Sequence, residues 1–194
     1  FDATQTMDAA QSASGLGYCR GAGGWLGIGL DAIGHFGRDS DACLGGPGVA
    51  PQSLTIRGPA SENNPFIASA KLGDILGHHL DKQRPDSHRV RLHLTPKTTG
   101  NGYRIDVSVT NQTTQETIHP ISNIDYPYAA PSLLRVGIAA STSIGKNVHE
   151  LRNFSVRALP QPSPIAITPV LHPSTTDPAQ ASTLIFTVTN REKK

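Results

Sequence analysis

The sequence predicts an all-β chain, an antiparallel β-sandwich, and two observations carry that prediction. Gly (19) and Pro (15) are plentiful among 194 residues while aromatics are only 5%, the composition of a turn-rich chain. Short segments in which apolar and polar residues alternate recur along its length, and alternation of period two puts one side of each segment into a core.

The first element is Gly27-Ile28-Gly29-Leu30-Asp31, where Leu26, Ile28 and Leu30 point one way and Gly27 and Gly29 leave the other face bare. It runs into the acidic loop Ala32-Ile33-Gly34-His35-Phe36-Gly37-Arg38-Asp39. Asp31 and Asp39 on one glycine-punctuated turn suit a hard cation, or serve as solvated turn carboxylates in N-capping or Asx-turn roles. Cys19 and Cys43 flank this feature. The secreted-looking composition predicts a disulfide between them, two buried free thiols being the alternative.

Gly45-Gly46-Pro47-Gly48 is a chain break, and Leu72 to Leu80 reads as a loop or short helical turn because Gly73 and Gly77 interrupt its apolar face. Val90, Leu92 and Leu94 then alternate with Arg91 and His93, and Ile105, Val107 and Val109 with Arg104, Asp106 and Ser108. Between these two strands, Thr99-Gly100-Asn101-Gly102 is a hairpin loop. Val136 with Ile138, and Phe154 with Val156, give two further half-buried strands. The prolines of residues 159–164 mark a linker that ends a first domain at 1–158. Residues 165–194 hold one good strand, Thr183 to Thr189, too little for an independent core. They are the start of a following β-module or an extra strand on the first domain.

A net charge of +2 with 16% charged residues gives no sign of a nucleic-acid surface, and no nucleic-acid partner is expected. No apolar run approaches the roughly 20 residues of a membrane span, so no membrane insertion is predicted. The chain starts at Phe1 with no leader pattern, so either a signal segment has been removed or this is part of a longer multidomain chain. His78-His79, with His88 and His93 nearby, has no Cys or carboxylate to complete a zinc set. No paired acids on one strand and no nucleophile elbow occur, which argues against an enzyme.

Read in order, several segments resemble the L-type (legume-type) lectin domain, in its bacterial surface-protein branch. They are Gly15-Leu16-Gly17-Tyr18, Trp25 to Asp31, Pro51 to Pro59, Arg84-Pro85-Asp86 with Arg89 to Leu92, Gly137 to Thr142, and Asn147 to Val156. The resemblance covers roughly residues 1 to 157 and implies a legume-lectin-like jelly roll that binds carbohydrate on loops at one end. The opening wording of residues 178–190 similarly resembles the immunoglobulin-like repeats of bacterial surface proteins.

The resemblance implies a calcium site at Asp31, the main-chain carbonyl of Ile33, His35 and Asp39. His35 stands where the family has Asn, and imidazole nitrogen is a poor ligand for so hard an ion, leaving Asp41 to compensate. No manganese is implied, since Gly29 stands where the family has a Glu. Sugar contacts are implied at Ser14 and Gly15, at His35 and Phe36, and at Ser143, Gly145, Lys146 and Asn147. The carboxylate of the family's first sugar loop belongs upstream of Phe1. The function implied is a non-enzymatic, calcium-dependent lectin module of a secreted or bacterial cell-surface adhesin. The alternative is a structural or assembly domain that keeps the lectin fold and has lost sugar binding.

Overall fold

The computed structural model describes residues 15–19, 23–41, 43–76, 86–140 and 149–157, together with the strand backbones 165–172 and 183–190. It is an all-β molecule of antiparallel sheets with three short 3-10 turns among these residues. The first sheet has the order β1 (Gly27–Asp31), β2 (Ser53–Arg57), β3 (Phe66–Lys71). The second is β4 (His88–Pro96), β5 (Tyr103–Asn111), β6 (Thr117–Tyr126). The third joins β7 (Leu133–Ile138) to β9 (Thr183–Asn190), which lies between β7 and β8 (Ile165–His172).

The alternation in β5 acts as it should: Ile105, Val107 and Val109 are buried and the residues between them are not. They join Leu54 and Ile56 of β2, Ile121 and Tyr126 of β6, Trp25 and Leu72 in one apolar cluster shared by the first two sheets. Burial of this kind stabilises in proportion to apolar area, about 25 cal/mol per Å². The β4–β5 hairpin closes where Lys97 donates its N–H to the Gly102 carbonyl at 3.1 Å. Gly100 and Gly102 sit there at φ 73 and 100, a region open to residues without a Cβ.

Three expectations change. In β4, Val90 and Leu92 are 40% and 41% exposed rather than half-buried, because β4 is an outer strand and only Leu94 of the three packs on the core. Phe154 to Arg157 keeps its alternating burial but forms no ladder; Asn153, at φ 53, bends the chain just before it. Strands β3 and β6 carry no clear alternation in the sequence and are nonetheless formed, and β2 alternates yet is buried on both faces. Within Leu72 to Leu80, Gly73–Leu76 is a 3-10 turn, and 77–80 lie outside the described residues.

The tail strand predicted at Thr183 to Thr189 is present as β9. It pairs with β7 from Leu133↔Thr189 to Ile138↔Leu184, so it extends a sheet that begins before the proline-rich segment. Residues 159–164 lie outside the described residues. No helix among the described residues is long and apolar enough to cross a membrane.

Candidate ligand-presenting loop

The face of β1 that Gly27 and Gly29 leave without side chains is not bare. Tyr18 packs on Gly27 and Phe36 on Gly29, so closely that a Cβ at either glycine would overlap the ring. The same face of β2 carries Ser53, Thr55 and Arg57, opposite Asp31, Gly29 and Gly27. Residues 32–41 and 43–50 fold over this face, and three devices fasten them there.

The first is Asp31, at the end of β1 and 6% exposed. Its Oδ1 accepts the N–H of Ile33 at 2.9 Å and its Oδ2 that of Phe36 at 2.8 Å. A carboxylate thus caps the short turn His35–Gly37, whose N–H groups have no other partner inside so short a helix. Gly34, at φ 90, lies against the Ala50 carbonyl where a Cβ has no room, and Ala50 N–H closes the loop base on the Gly34 carbonyl at 3.0 Å.

The second is the disulfide Cys19–Cys43, with Cα atoms 5.5 Å apart. It packs with Phe36, Leu16 and Tyr18 in a small apolar cluster of its own. Tyr18 meets Phe36 edge-on at 6.2 Å and donates its hydroxyl to the Gly58 carbonyl at 2.8 Å.

The third device is Arg57, 0% exposed. Its Nε donates to the Phe36 carbonyl at 2.9 Å, Nη1 to the carbonyls of Leu44 and Gly45 at 3.0 Å and of Asn64 at 3.2 Å, and Nη2 to that of Arg38 at 2.9 Å. Phe36 and Phe66 lie against its guanidinium with ring centres 5.7 and 5.9 Å away. Burial pulls the guanidinium below its ordinary pKa and the charge of Asp39 pulls it back up. Asp39 itself accepts Gly45 N–H at 2.6 Å.

The outside of this loop carries polar side chains beside the exposed apolar ones of Leu44 and Val49. Arg38, Asp39 and Asp41 are exposed and His35 is partly so. Among the described residues the side chains of His35, Arg38 and Asp41 make no hydrogen bond or ion pair. The arrangement can offer planar donors and carboxylate acceptors to the edge of a hydrogen-bonding ligand.

Of the residues implied as sugar contacts, His35 alone is both described and accessible. Phe36 is a correction: at 1% exposure its ring fills the space over Gly29 and cannot lie beneath a sugar. Gly15 is buried too; its carbonyl accepts the N–H groups of Tyr18 and Cys19 and its α-carbon abuts the Cys19 side chain. Ser14, Ser143, Gly145, Lys146 and Asn147 lie outside the described residues.

The implied calcium ligands fit that ion poorly. Both Asp31 oxygens and one of Asp39 already accept main-chain N–H groups, and the remaining side chain is an imidazole, whereas calcium takes six to eight oxygens. Arg57 was not legible as part of this site. An Arg alternating with Leu54 and Ile56, on the same side as Ser53 and Thr55, has the pattern of a solvent face. No protein-family model, curated protein or solved structure matches the chain, so the loop must be interpreted from its own residues.

Proposed function

We propose that the chain is a non-enzymatic carbohydrate-binding module of the L-type lectin kind, part of a longer secreted or bacterial cell-surface adhesin. One observation carries the proposal. The molecule commits a disulfide, a buried carboxylate and a buried guanidinium to fixing one loop, and the side chains left outside, His35, Arg38 and Asp41, have no internal partner among the described residues. A sugar is gripped by polar groups held ready at the edge of its ring, and fixing them beforehand lowers the ordering cost of binding. The ordered run of lectin-like segments and the antiparallel sheets are consistent with this reading.

A second reading, a structural or assembly domain that has lost sugar binding, draws support from Phe36. The ring expected to line a sugar site is instead an interior residue. Screening the full chain on a glycan array decides between them. Specific signal on a small set of glycans, abolished by His35→Ala with unchanged thermal midpoint, supports the lectin reading. Silence on every glycan for the chain extended upstream of Phe1 overturns it in favour of the structural one.

A further inference from the structure

We propose that Arg57 is the organising cation of the loop, doing for residues 34–45 what a bound calcium ion does in the site the resemblance implies, so that the loop keeps its shape without metal. The inference takes its functional meaning from the ligand-presenting reading of the loop, but its tests stand apart from it.

A guanidinium removed from water is strongly destabilising unless its donors are all met and its charge is offset. No carboxylate is within ion-pair distance of Arg57 among the described residues. Its surroundings are main-chain carbonyls instead, those of Phe36, Arg38, Leu44, Gly45 and Asn64. Four of the five belong to the loop. Their negative ends converge on one positive centre, the arrangement that carbonyl and carboxylate oxygens adopt around a hard metal ion. The acids of the loop have the complementary role, since Asp31 and Asp39 collect the N–H groups of Ile33, Phe36 and Gly45. The oxygens a metal needs are therefore divided between a fixed cation and main-chain donors.

The planar fork explains why this residue is an arginine. It reaches carbonyls on both sides of its plane edge, from residue 36 to residue 64, while the two phenyl rings cover it. A lysine brings one charge but three donors from a single point and cannot span that set.

Hydrogen–deuterium exchange on the full chain tests the proposal, with the loop peptide 32–50 compared with the strand 103–111. In the unmodified chain, loop protection and thermal midpoint are the same in calcium and in chelator. Arg57→Met speeds exchange at the loop amides about a hundredfold, as expected when several charge-assisted bonds are lost together, and leaves β5 protected. Arg57→Lys moves the loop in the same direction although the charge is kept. Arg57→Gly regains loop protection with millimolar guanidinium but not with ammonium, and if it does not fold alone, it refolds with guanidinium present.

Three results overturn the proposal: loop protection that falls in chelator and returns with calcium, an Arg57→Met loop as protected as the original, or no rescue by guanidinium beyond that given by ammonium. The sugar reading fails separately. Glycan silence with a metal-independent, protected loop sinks the lectin assignment and leaves the role of Arg57 standing.

Discussion

Strand β2 buries both of its faces, and the two interiors it enters are built from different physics. On one side Leu54 and Ile56 join Ile105, Val107 and Val109, where contact is non-directional and repacking is tolerated. On the other side Ser53, Thr55 and Arg57 lie under the loop, all essentially without exposure, and the last two are held by hydrogen bonds with fixed partners. Thr55 Oγ1 meets Ser69 Oγ at 3.0 Å, and Arg57 meets its five carbonyls. The first interior gives the molecule its stability; the second gives one loop its shape. A substitution on each side should separate the two.

The largest effect falls on the apolar side. Ile56→Ala leaves a cavity at a residue with 0% exposure and should cost about 2–5 kcal/mol in urea unfolding. The loss should be global, lowering protection in loop and core alike. A loop that opens while β5 keeps its protection would mean the two interiors are not arranged as described.

Removing the disulfide acts on the other side. Cys19→Ala with Cys43→Ala releases a closure between residues 24 apart and should cost about 3 kcal/mol on the chain-entropy account. Core amides such as that of Val107 should exchange faster by the lost global stability, and loop amides faster still through local opening. Loop amides accelerated no more than the core would show that the staple does not act locally on the loop.

This division also explains what the sequence makes legible. Apolar alternation announces β5 because a half-buried strand has one wet face, and the hairpin at 99–102 announces itself through Asn and Gly. The disulfide follows from the secreted-looking composition and the two cysteines flanking the loop. Strand β2 alternates visibly, but the burial of its second face is hidden because that face is polar yet dry, so Ser53, Thr55 and Arg57 mimic a solvent side. Strand β6 is hidden by slips in its pairing with β5, which interrupt the alternation. Asp31 is legible as a turn carboxylate, one of its two readings, though it is buried and not solvated. Phe36 was implied as a sugar contact by the resemblance alone, and two residues without side chains on β1 make the slot that receives its ring.

Alkaline pH probes both interiors at once. Burial, the larger cause in each case, pushes the phenols of Tyr18 and Tyr126 above the ordinary 10.0, with Asn64 drawing Tyr18 back and the neighbouring Tyr18 and Tyr128 adding to the effect on Tyr126. The unfolded chain then releases these protons at lower pH than the folded one. Their contribution is therefore complete below about pH 10 and is lost above it, at most about 1.4 kcal/mol per pH unit for each ring. Tyr18→Phe should remove the part of that slope belonging to the loop side, at the price of the bond to Gly58. An unchanged slope would place the alkaline sensitivity wholly in the apolar cluster.

The smallest effect on stability is the most telling for function. His35 begins the turn capped by Asp31, yet its side chain has no partner among the described residues and is partly exposed, so folding gains little from the imidazole. His35→Ala should shift stability by less than about 0.5 kcal/mol. The Phe36 N–H to Asp31 bond runs through the backbone and should survive the change. If the loop is held rigid for a ligand, that nearly silent substitution should remove glycan binding, while Ile56→Ala, measured where the protein is still folded, should leave affinity nearly intact. Stability and recognition would then reside on opposite faces of one strand. A His35→Ala protein that binds as before, or that loses several kcal/mol, would show that the outward side of the loop is not where the polar interior directs its order.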